Sequence, residues 1–326
     1  MIIVRSPFRI SFAGGGTDYP SWYENNEGLV FNATIDKYCY LFCRFLPAFF
    51  KYRFRIRYSR KEEVNEVNQI KHPTVRGCLE FLKIDKGIEL VHTSDLPARS
   101  GIGSSSSFTV GFLKALYALK GEIITKHELA LRAIHIEQAL LQENIGAQDQ
   151  TSASYGGLNR IEFNKTEIIR PEPVILSIEE KNLFQSHLCL FFTGLYRNSS
   201  EVAGTYVKKL YTKNKEKMRD LKDMVDESID LVHKRKFKAF GELLNESWQI
   251  KKSLSKTITN NKINSIYEKA KHFGAYGGKL LGAGGGGFFL LCAPPEKHNL
   301  LREKLKLICV PVVFENNGCQ ILFHNE

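Results

Sequence analysis

The sequence predicts an α+β fold in two parts. Three observations carry this expectation. The first third reads as strands, the stretch 170–184 holds two prolines and little periodicity, and beyond it strands and helices follow in the order β-α-β-α-β-β. The boundary is placed in that stretch, giving an N-terminal part over 1–175 and a C-terminal part over 176–326.

In the N-terminal part, strands are expected at 1–12, 29–45 and 52–58, with another near 89–92. Within 52–58, Arg53, Arg55 and Arg57 alternate with Phe54, Ile56 and Tyr58, so a period of two puts the guanidiniums on one face. That face is either solvated or a basic surface near an anionic ligand or another subunit. A helix is expected over 104–120, with Phe108, Phe112, Leu116 and Leu119 recurring at helical spacing and Gly121 ending it. Thr125 with Glu128 three residues on reads as a capping box. That second helix runs to about 141 and places Leu129, Ala133, Ile136 and Leu140 on one face. A glycine-rich turn at 155–157 then leads into a strand at 158–163.

The C-terminal part starts with a buried strand at 187–193. Helices follow at 199–235, broken near Lys213, at 237–254 and at 261–273. Leu221, Val225 and Val232 mark the core face of the first, and Phe240, Leu244 and Trp248 that of the second. A glycine-rich loop at 282–287, a strand at 288–293, a helix from Pro295 and strands near 309–315 and 319–323 complete the order.

Composition narrows the function classes. With 326 residues, 43% apolar and 25% charged, the chain can bury a large core, which excludes disordered, collagen-like and small disulfide-stapled proteins. No apolar run approaches the roughly 18 residues a membrane span needs. Arg5 interrupts the apolar start Ile2-Ile3-Val4, so no signal peptide is expected and the protein is placed in the cytoplasm, away from membranes. The seven cysteines form no CxxC and sit mostly in apolar runs, as reduced buried thiols do. The net charge of +11 points to an anionic partner: nucleic acid, a membrane surface or a phosphorylated metabolite.

Three glycine-rich stretches stand out. The first closes the opening strand: Arg9-Ile10-Ser11-Phe12-Ala13-Gly14-Gly15-Gly16-Thr17-Asp18-Tyr19. It is either a plain turn or a place where backbone approaches a ligand closely. The second, Pro97-Ala98-Arg99-Ser100-Gly101-Ile102-Gly103-Ser104-Ser105-Ser106-Ser107, opens the helix at 104. Free N–H groups and the positive end of the helix dipole favour a phosphate there. Serine hydroxyls can add phosphate contacts or reach Mg2+. One serine would suffice as a cap, so four behind two glycines favour phosphate. The third, Gly282-Ala283-Gly284-Gly285-Gly286-Gly287, contains a GxGxxG match but runs into a strand, the wrong context for a dinucleotide fingerprint. A Walker A loop fails too, because Leu280 follows Gly278-Lys279. Two acids complete the set. Glu137 lies one position off the apolar face of its helix, and Asp149 follows 12 residues later in an uncharged polar turn.

These stretches, in this order, resemble the three motifs of the GHMP kinase superfamily over essentially the whole chain. In its galactokinase-like members the first motif reads Gly-Glu-His before Thr-Asp-Tyr, where this chain has Gly14-Gly15-Gly16. Closer similarity is to the D-glycero-D-manno-heptose 7-phosphate kinase group. It lies in 5–19, Thr34-Ile35-Asp36-Lys37-Tyr38-Cys39-Tyr40, His72-Pro73 with Val75-Arg76, 96–121, 135–138 and 191–194. The resemblance implies an N-terminal domain like domain 2 of ribosomal protein S5, with a left-handed β-α-β crossover, and a ferredoxin-like C-terminal domain. It also implies ATP and Mg2+ as cofactors and transfer to the anomeric O1 of heptose 7-phosphate. The product would feed nucleotide-activated heptose for bacterial surface polysaccharide.

Site roles follow from the same resemblance. The nucleotide phosphates would lie on Pro97, Arg99, Ser100, Gly101, Ile102, Gly103, Ser104, Ser105 and Ser106. Glu137 and one serine, taken as Ser105 with the register in 104–107 open by one, would ligate Mg2+. Asp149 matches the catalytic aspartate and Arg9 its basic partner. Asp18 would accept sugar hydroxyls, beside Gly15, Gly16 and Thr17 and, from the third stretch, Gly284 and Gly285. Arg197 and Lys37 are assigned to the 7-phosphate from their positions near family-like segments. Two other readings stay in play: another anomeric sugar kinase, fucokinase-like, and a basic nucleic-acid-binding protein. Nucleic acid would not require the Glu137 and Asp149 pair, and no RNP or KH signature is present. The partner expected is a small sugar phosphate, with oligomeric state undetermined by the sequence.

Overall fold

The chain opens with two long antiparallel strands, β1 (Ile2–Ala13) and β2 (Gly28–Phe45), joined through the short helix α1 (Pro20–Tyr23). The structure, a computed structural model, describes residues 1–196 and 199–325. β3 (Phe54–Arg57), β4 (Lys61–Val64), the helix α2 (Pro73–Phe81) and β5 (Ile88–Ser94) follow. Three helices come next: α3 (Ser104–Leu119), α4 (Lys126–His135) and α5 (Gln148–Tyr155). Then come β6 (Leu158–Phe163) and β7 (Arg170–Pro173). The first sheet runs β12-β1-β2-β5-β3-β4, where β12 (Gln320–His324) arrives from the end of the chain, and β6 pairs with β2 and β7. So the last strand, expected to follow the C-terminal elements, closes the edge of the first sheet, with Arg5 opposite Gln320.

The expected boundary at 175/176 falls between β7 and α6 (Ile178–Ser186), a helix that the loss of periodicity had hidden. Beyond it lie β8 (Leu188–Phe192), α7 (Ser199–Gly204), α8 (Lys215–His233), α9 (Phe237–Lys252) and α10 (Asn261–His272). β9 (Gly277–Leu280), β10 (Phe288–Cys292), α11 (His298–Leu305) and β11 (Cys309–Pro311) complete this half. The break expected near Lys213 lies between α7 and α8. The four-stranded antiparallel sheet is ordered β11-β8-β10-β9, which with its helices gives the β-α-β-β-α-β arrangement of a ferredoxin-like domain. Among the described residues no helix is long and apolar enough to cross a membrane. All seven cysteines are unpaired, and only Cys309 is not fully buried.

The two parts share a core at Phe12. Its ring lies 4.8 Å from Phe31, 5.3 Å from Phe184 of α6, 5.8 Å from Phe240 of α9 and 6.2 Å from Phe314. Period two along β1 sends Arg9 and Ser11 to the opposite face, where both meet α5. Two of the arginines in 52–58 are paired where they stand: Arg55 of β3 with Glu63 at 3.1 Å and Glu89 at 3.4 Å, and Arg53, just before β3, with Glu66 at 3.7 Å. Phe54 and Ile56 turn inward from the same strand.

The third glycine-rich stretch packs backbone to backbone on the second. Phe288 N donates to Ser100 O at 3.0 Å. A Cβ on Gly287 would lie 2.1 Å from Ser100 O, and one on Gly282 would lie 2.6 Å from the Cα of Gly101. Gly287 also has φ +98, a conformation that costs an L-residue about 1–2 kcal/mol before any clash. Gly287→Ala should therefore destabilise the fold by more than that amount, read as a lower urea midpoint. A variant as stable as the parent would show that this close approach does not hold the two loops together.

Candidate active site

The second stretch is built to leave N–H groups free. Arg99, Gly101 and Gly103 have positive φ while Ser100 and Ile102 do not. Such alternation gathers successive N–H groups into a concave anion site. The carbonyls point elsewhere: Ser100 O accepts from Phe288 N, Gly101 O from Arg9 Nη1 at 2.7 Å, and Ile102 O from Arg9 N at 3.0 Å. α3 starts from Gly103 with no side-chain cap. The first helical bond is Ser107 N to Gly103 O, so the N–H groups of residues 101–106 have no acceptor among the described residues. An ordinary serine cap is thereby excluded. Ser100 and Ser107 serve the loop itself, donating to Pro97 O and Pro7 O.

Against this cradle stands a buried ion pair. Arg9 Nε and Nη2 donate to the two carboxylate oxygens of Asp149, both at 2.7 Å. A Cβ on Gly103 would come within 3.2 Å of both Arg9 Cγ and Asp149 Oδ2. The sequence placed Asp149 in a turn; it sits in the first turn of α5, whose buried face is mostly small and polar and so shows no apolar period.

Glu137 is also buried, four residues beyond the buried Ala133 on the inward side of its helix. α4 ends at His135 and residues 136–140 form one π-helical turn, which advances the phase by an extra residue. Leu140, expected on the core face, is therefore 47% exposed. Ser106, Thr109 and Gln150 donate to its carboxylate, Ser106 at 2.8 Å. Burial, only partly offset by these bonds, pushes its carboxyl up to about 7. The serine beside Glu137 is thus Ser106. Ser105, expected there, lies exposed one position earlier, because each helical residue rotates about 100°.

Asp18 lies beside the pair. Gly16 N donates to Oδ1 at 3.0 Å and Gln148 N to Oδ2 at 3.3 Å. Burial and then the Asp149 charge raise its carboxyl above the ordinary range. Thr17 corrects the sequence reading: its hydroxyl donates to Gly14 O and Leu29 O and accepts from Leu29 N, so it ties the loop and faces no ligand. Gly284 packs against Ile258 and Gly285 N donates to Ile258 O at 2.6 Å, so both brace the loop. Lys37 is not brought to the site either. β1 and β2 slip register between Pro7 and Phe8, bulging out Asp36 and Lys37, and Lys37 Nζ bonds Asp36 Oδ1 at 2.7 Å. Arg197 lies outside the described residues.

Lys279 was missed as a site residue. It lies in the wholly buried β9, and its Nζ donates to Phe12 O at 2.9 Å, at the root of the first glycine-rich stretch. Burial first, then the Arg9 charge, push its ammonium down to about 7, with Asp18 opposing. A lone lysine in an otherwise apolar strand was the available signal. Tyr19 and Tyr206 were missed too: burial, Tyr206, Asp18 and Asp149 hold the Tyr19 hydroxyl far above its usual range. Between about pH 7 and the ordinary lysine range, the unfolded chain carries a proton on residue 279 that the folded chain lacks. Unfolding then takes up a proton, so stability should rise with pH across that window. Lys279→Met should flatten the rise, measured as urea midpoints at pH 7 and pH 9; an identical slope in parent and variant would contradict a buried, depressed lysine.

Comparison with known proteins agrees with this geometry. The model of the GHMP kinases N terminal domain matches residues 72–157, and that of the GHMP kinases C terminal matches 228–309. The chain is 30% identical over 323 residues to the D-glycero-alpha-D-manno-heptose 7-phosphate kinase of Campylobacter jejuni, covering 92% of each chain. It is 26% identical to the L-fucokinase/L-fucose-1-P guanylyltransferase of Bacteroides fragilis, over 86% of this chain but 33% of that protein. In structure, a D-glycero-D-manno-heptose 1-phosphate kinase from Bacteroides thetaiotaomicron superposes with a TM-score of 0.81 at 22% identity, covering 100% of both chains.

Proposed function

The chain belongs to the GHMP kinase family and is a sugar kinase, and on that premise we propose that it uses ATP and Mg2+ to phosphorylate the anomeric O1 of D-glycero-D-manno-heptose 7-phosphate. The product would be the 1,7-bisphosphate, a precursor of nucleotide-activated heptose. One observation supports this reading above the others: the Arg9–Asp149 pair stands against Gly103, at the edge of a cradle of free N–H groups.

Phosphoryl transfer is mostly positioning and charge stabilisation. The N–H groups of 101–106 and the N-terminus of α3 would hold the β- and γ-phosphates. Arg9 fixes both oxygens of Asp149 and leaves each a lone pair for the attacking hydroxyl's proton. Asp18 has acceptor capacity left for other sugar hydroxyls. Glu137 fits a cation: it is a buried carboxylate held by three neutral donors, with no basic partner among the described residues. Glu137 and Ser106 would hold Mg2+. The rest of the ion's shell would come from phosphates and water. When bound, Mg2+ would neutralise charge on the transferring phosphate.

ATP consumption should be measured with heptose 7-phosphate, sedoheptulose 7-phosphate, mannose, galactose and fucose. Heptose 7-phosphate is expected to give the highest kcat/KM. Equal or better turnover of fucose would favour the fucokinase-like reading, to which the Bacteroides fragilis relative points. For mechanism, Asp149→Asn is nearly isosteric and should lower kcat by about 10²- to 10⁴-fold. Calorimetric affinity for a non-hydrolysable ATP analogue should change little. A variant with parental kcat would remove Asp149 from the chemistry, and one that binds no nucleotide would make its role structural.

A further inference from the structure

Gln148 is the residue on which two acids of the site meet. It opens α5 immediately before Asp149 and is only 4% exposed. Its backbone N–H donates to Oδ2 of Asp18 at 3.3 Å, and its side-chain Nε2 donates to Oδ1 of Asp149 at 3.3 Å. The preceding backbone is keyed to the same acid. Ala147 N donates to Asp18 O at 2.8 Å, and a Cβ on Gly146 would lie 1.9 Å from Asp18 Oδ2. Only a residue without a Cβ fits there, so the start of α5 is fixed against Asp18.

Ser11 sets which way the amide points. Its hydroxyl, projecting from β1 two residues after Arg9, donates to Gln148 Oε1 at 2.8 Å. A reversed amide would set Oε1 against a carboxylate oxygen, lone pair to lone pair, so Nε2 is the end that faces Asp149. The same face of β1 thus holds Asp149 twice, directly through Arg9 and by way of Ser11 through Gln148.

A count of donors separates the two oxygens of Asp149. Each carboxylate oxygen accepts about two hydrogen bonds. Oδ1 takes Arg9 Nε at 2.7 Å and Gln148 Nε2, and is full. Among the described residues Oδ2 takes only Arg9 Nη2, at 2.7 Å. Oδ2 is also the oxygen turned towards the cradle, 3.2 Å from where a Cβ on Gly103 would stand.

We propose that Gln148 is a positioning residue that saturates Oδ1 of Asp149 and so makes Oδ2 the one acceptor for the attacking hydroxyl's proton. The inference rests on the kinase reading above. As the sugar oxygen bonds the γ-phosphorus of ATP, the bond from that phosphorus to the bridging oxygen of ADP breaks, and the proton passes to Oδ2 beside the cradle. A glutamine suits the position because it donates without adding a charge that would compete with Arg9 or act on Asp18.

Two variants test it, each measured beside Asp149→Asn. Gln148→Met keeps the length and removes the donor. Its kcat should fall about tenfold or more, the ordinary effect of losing a hydrogen bond to a charged group. KM for the sugar should change little, because the backbone N–H of residue 148 still holds Asp18. Calorimetric affinity for a non-hydrolysable ATP analogue should also change little. Gln148→Glu supplies a donor only when protonated. The charged groups around it are Arg9, Asp18 and Asp149. Its kcat should therefore rise as pH falls from neutral, where that of the unaltered enzyme falls because Asp149 must stay ionised. A purely structural role would not reverse the profile. If Asp149→Asn is slow and Gln148→Met keeps the parental kcat, the inference is overturned and the kinase reading stands. If Asp149→Asn also keeps the parental kcat, the reading of Asp149 fails and takes the inference with it. A raised sugar KM with parental kcat in Gln148→Met would make Gln148 a sugar contact and overturn the assignment. A Gln148→Glu profile parallel to that of the unaltered enzyme would overturn it too.

Discussion

The site depends on one buried guanidinium. Arg9 donates to both oxygens of Asp149 and to Gly101 O, so a single planar group fixes the carboxylate and the phosphate cradle relative to each other. Its own backbone N–H holds Ile102 O as well. Bidentate pairing of this kind sets direction as well as charge. Removing either partner would leave an uncompensated charge, which costs far more than the pair contributes. The glycines of the third stretch then matter as the surface on which this cradle rests, since only a backbone without Cβ atoms lies close enough to Ser100 and Gly101.

Around that pair the charges are arranged against the ordinary preferences of their groups. Burial raises the carboxyls of Asp18 and Glu137 and lowers the ammonium of Lys279. Each would be relieved by a charged or polar ligand. A triphosphate, a divalent cation and a hydroxyl-bearing sugar supply complementary groups. The shared core at Phe12 ties the two parts together, because β1 presents Phe12 to both halves of the molecule while Arg9 and Ser11 face α5.

Much of this was legible in the sequence, and the exceptions have physical causes. The three glycine-rich stretches and the acids Glu137 and Asp149 stood out because their residue types are unusual where they occur, whereas Arg9 was assigned only through the family resemblance. The strongly amphipathic helices, α8 and α9 above all, followed from periodicity. α5 did not, because a buried helix of Gln, Thr, Ser and Ala has no apolar stripe. The π turn shifted Leu140 outward, a change of phase invisible to a fixed period. It is the α3 register that puts Ser106, and leaves Ser105 out of reach. Lys37 was misplaced by a bulge that no residue type announces, and Thr17, Gly284 and Gly285 proved to support backbone. Lys279 was overlooked although a charge inside an apolar strand is itself a signal.

The central claim is that Asp149 and the cradle at 101–106 direct a phosphoryl group from ATP onto the anomeric hydroxyl of a heptose that already carries a phosphate. The most direct measurement is 31P NMR of the complete reaction of ATP with heptose 7-phosphate. A new anomeric phosphate resonance coupled to H1, appearing in step with ADP while the 7-phosphate signal persists, is the predicted result. ADP accompanied only by inorganic phosphate, or a new phosphate ester on any other carbon, would contradict it.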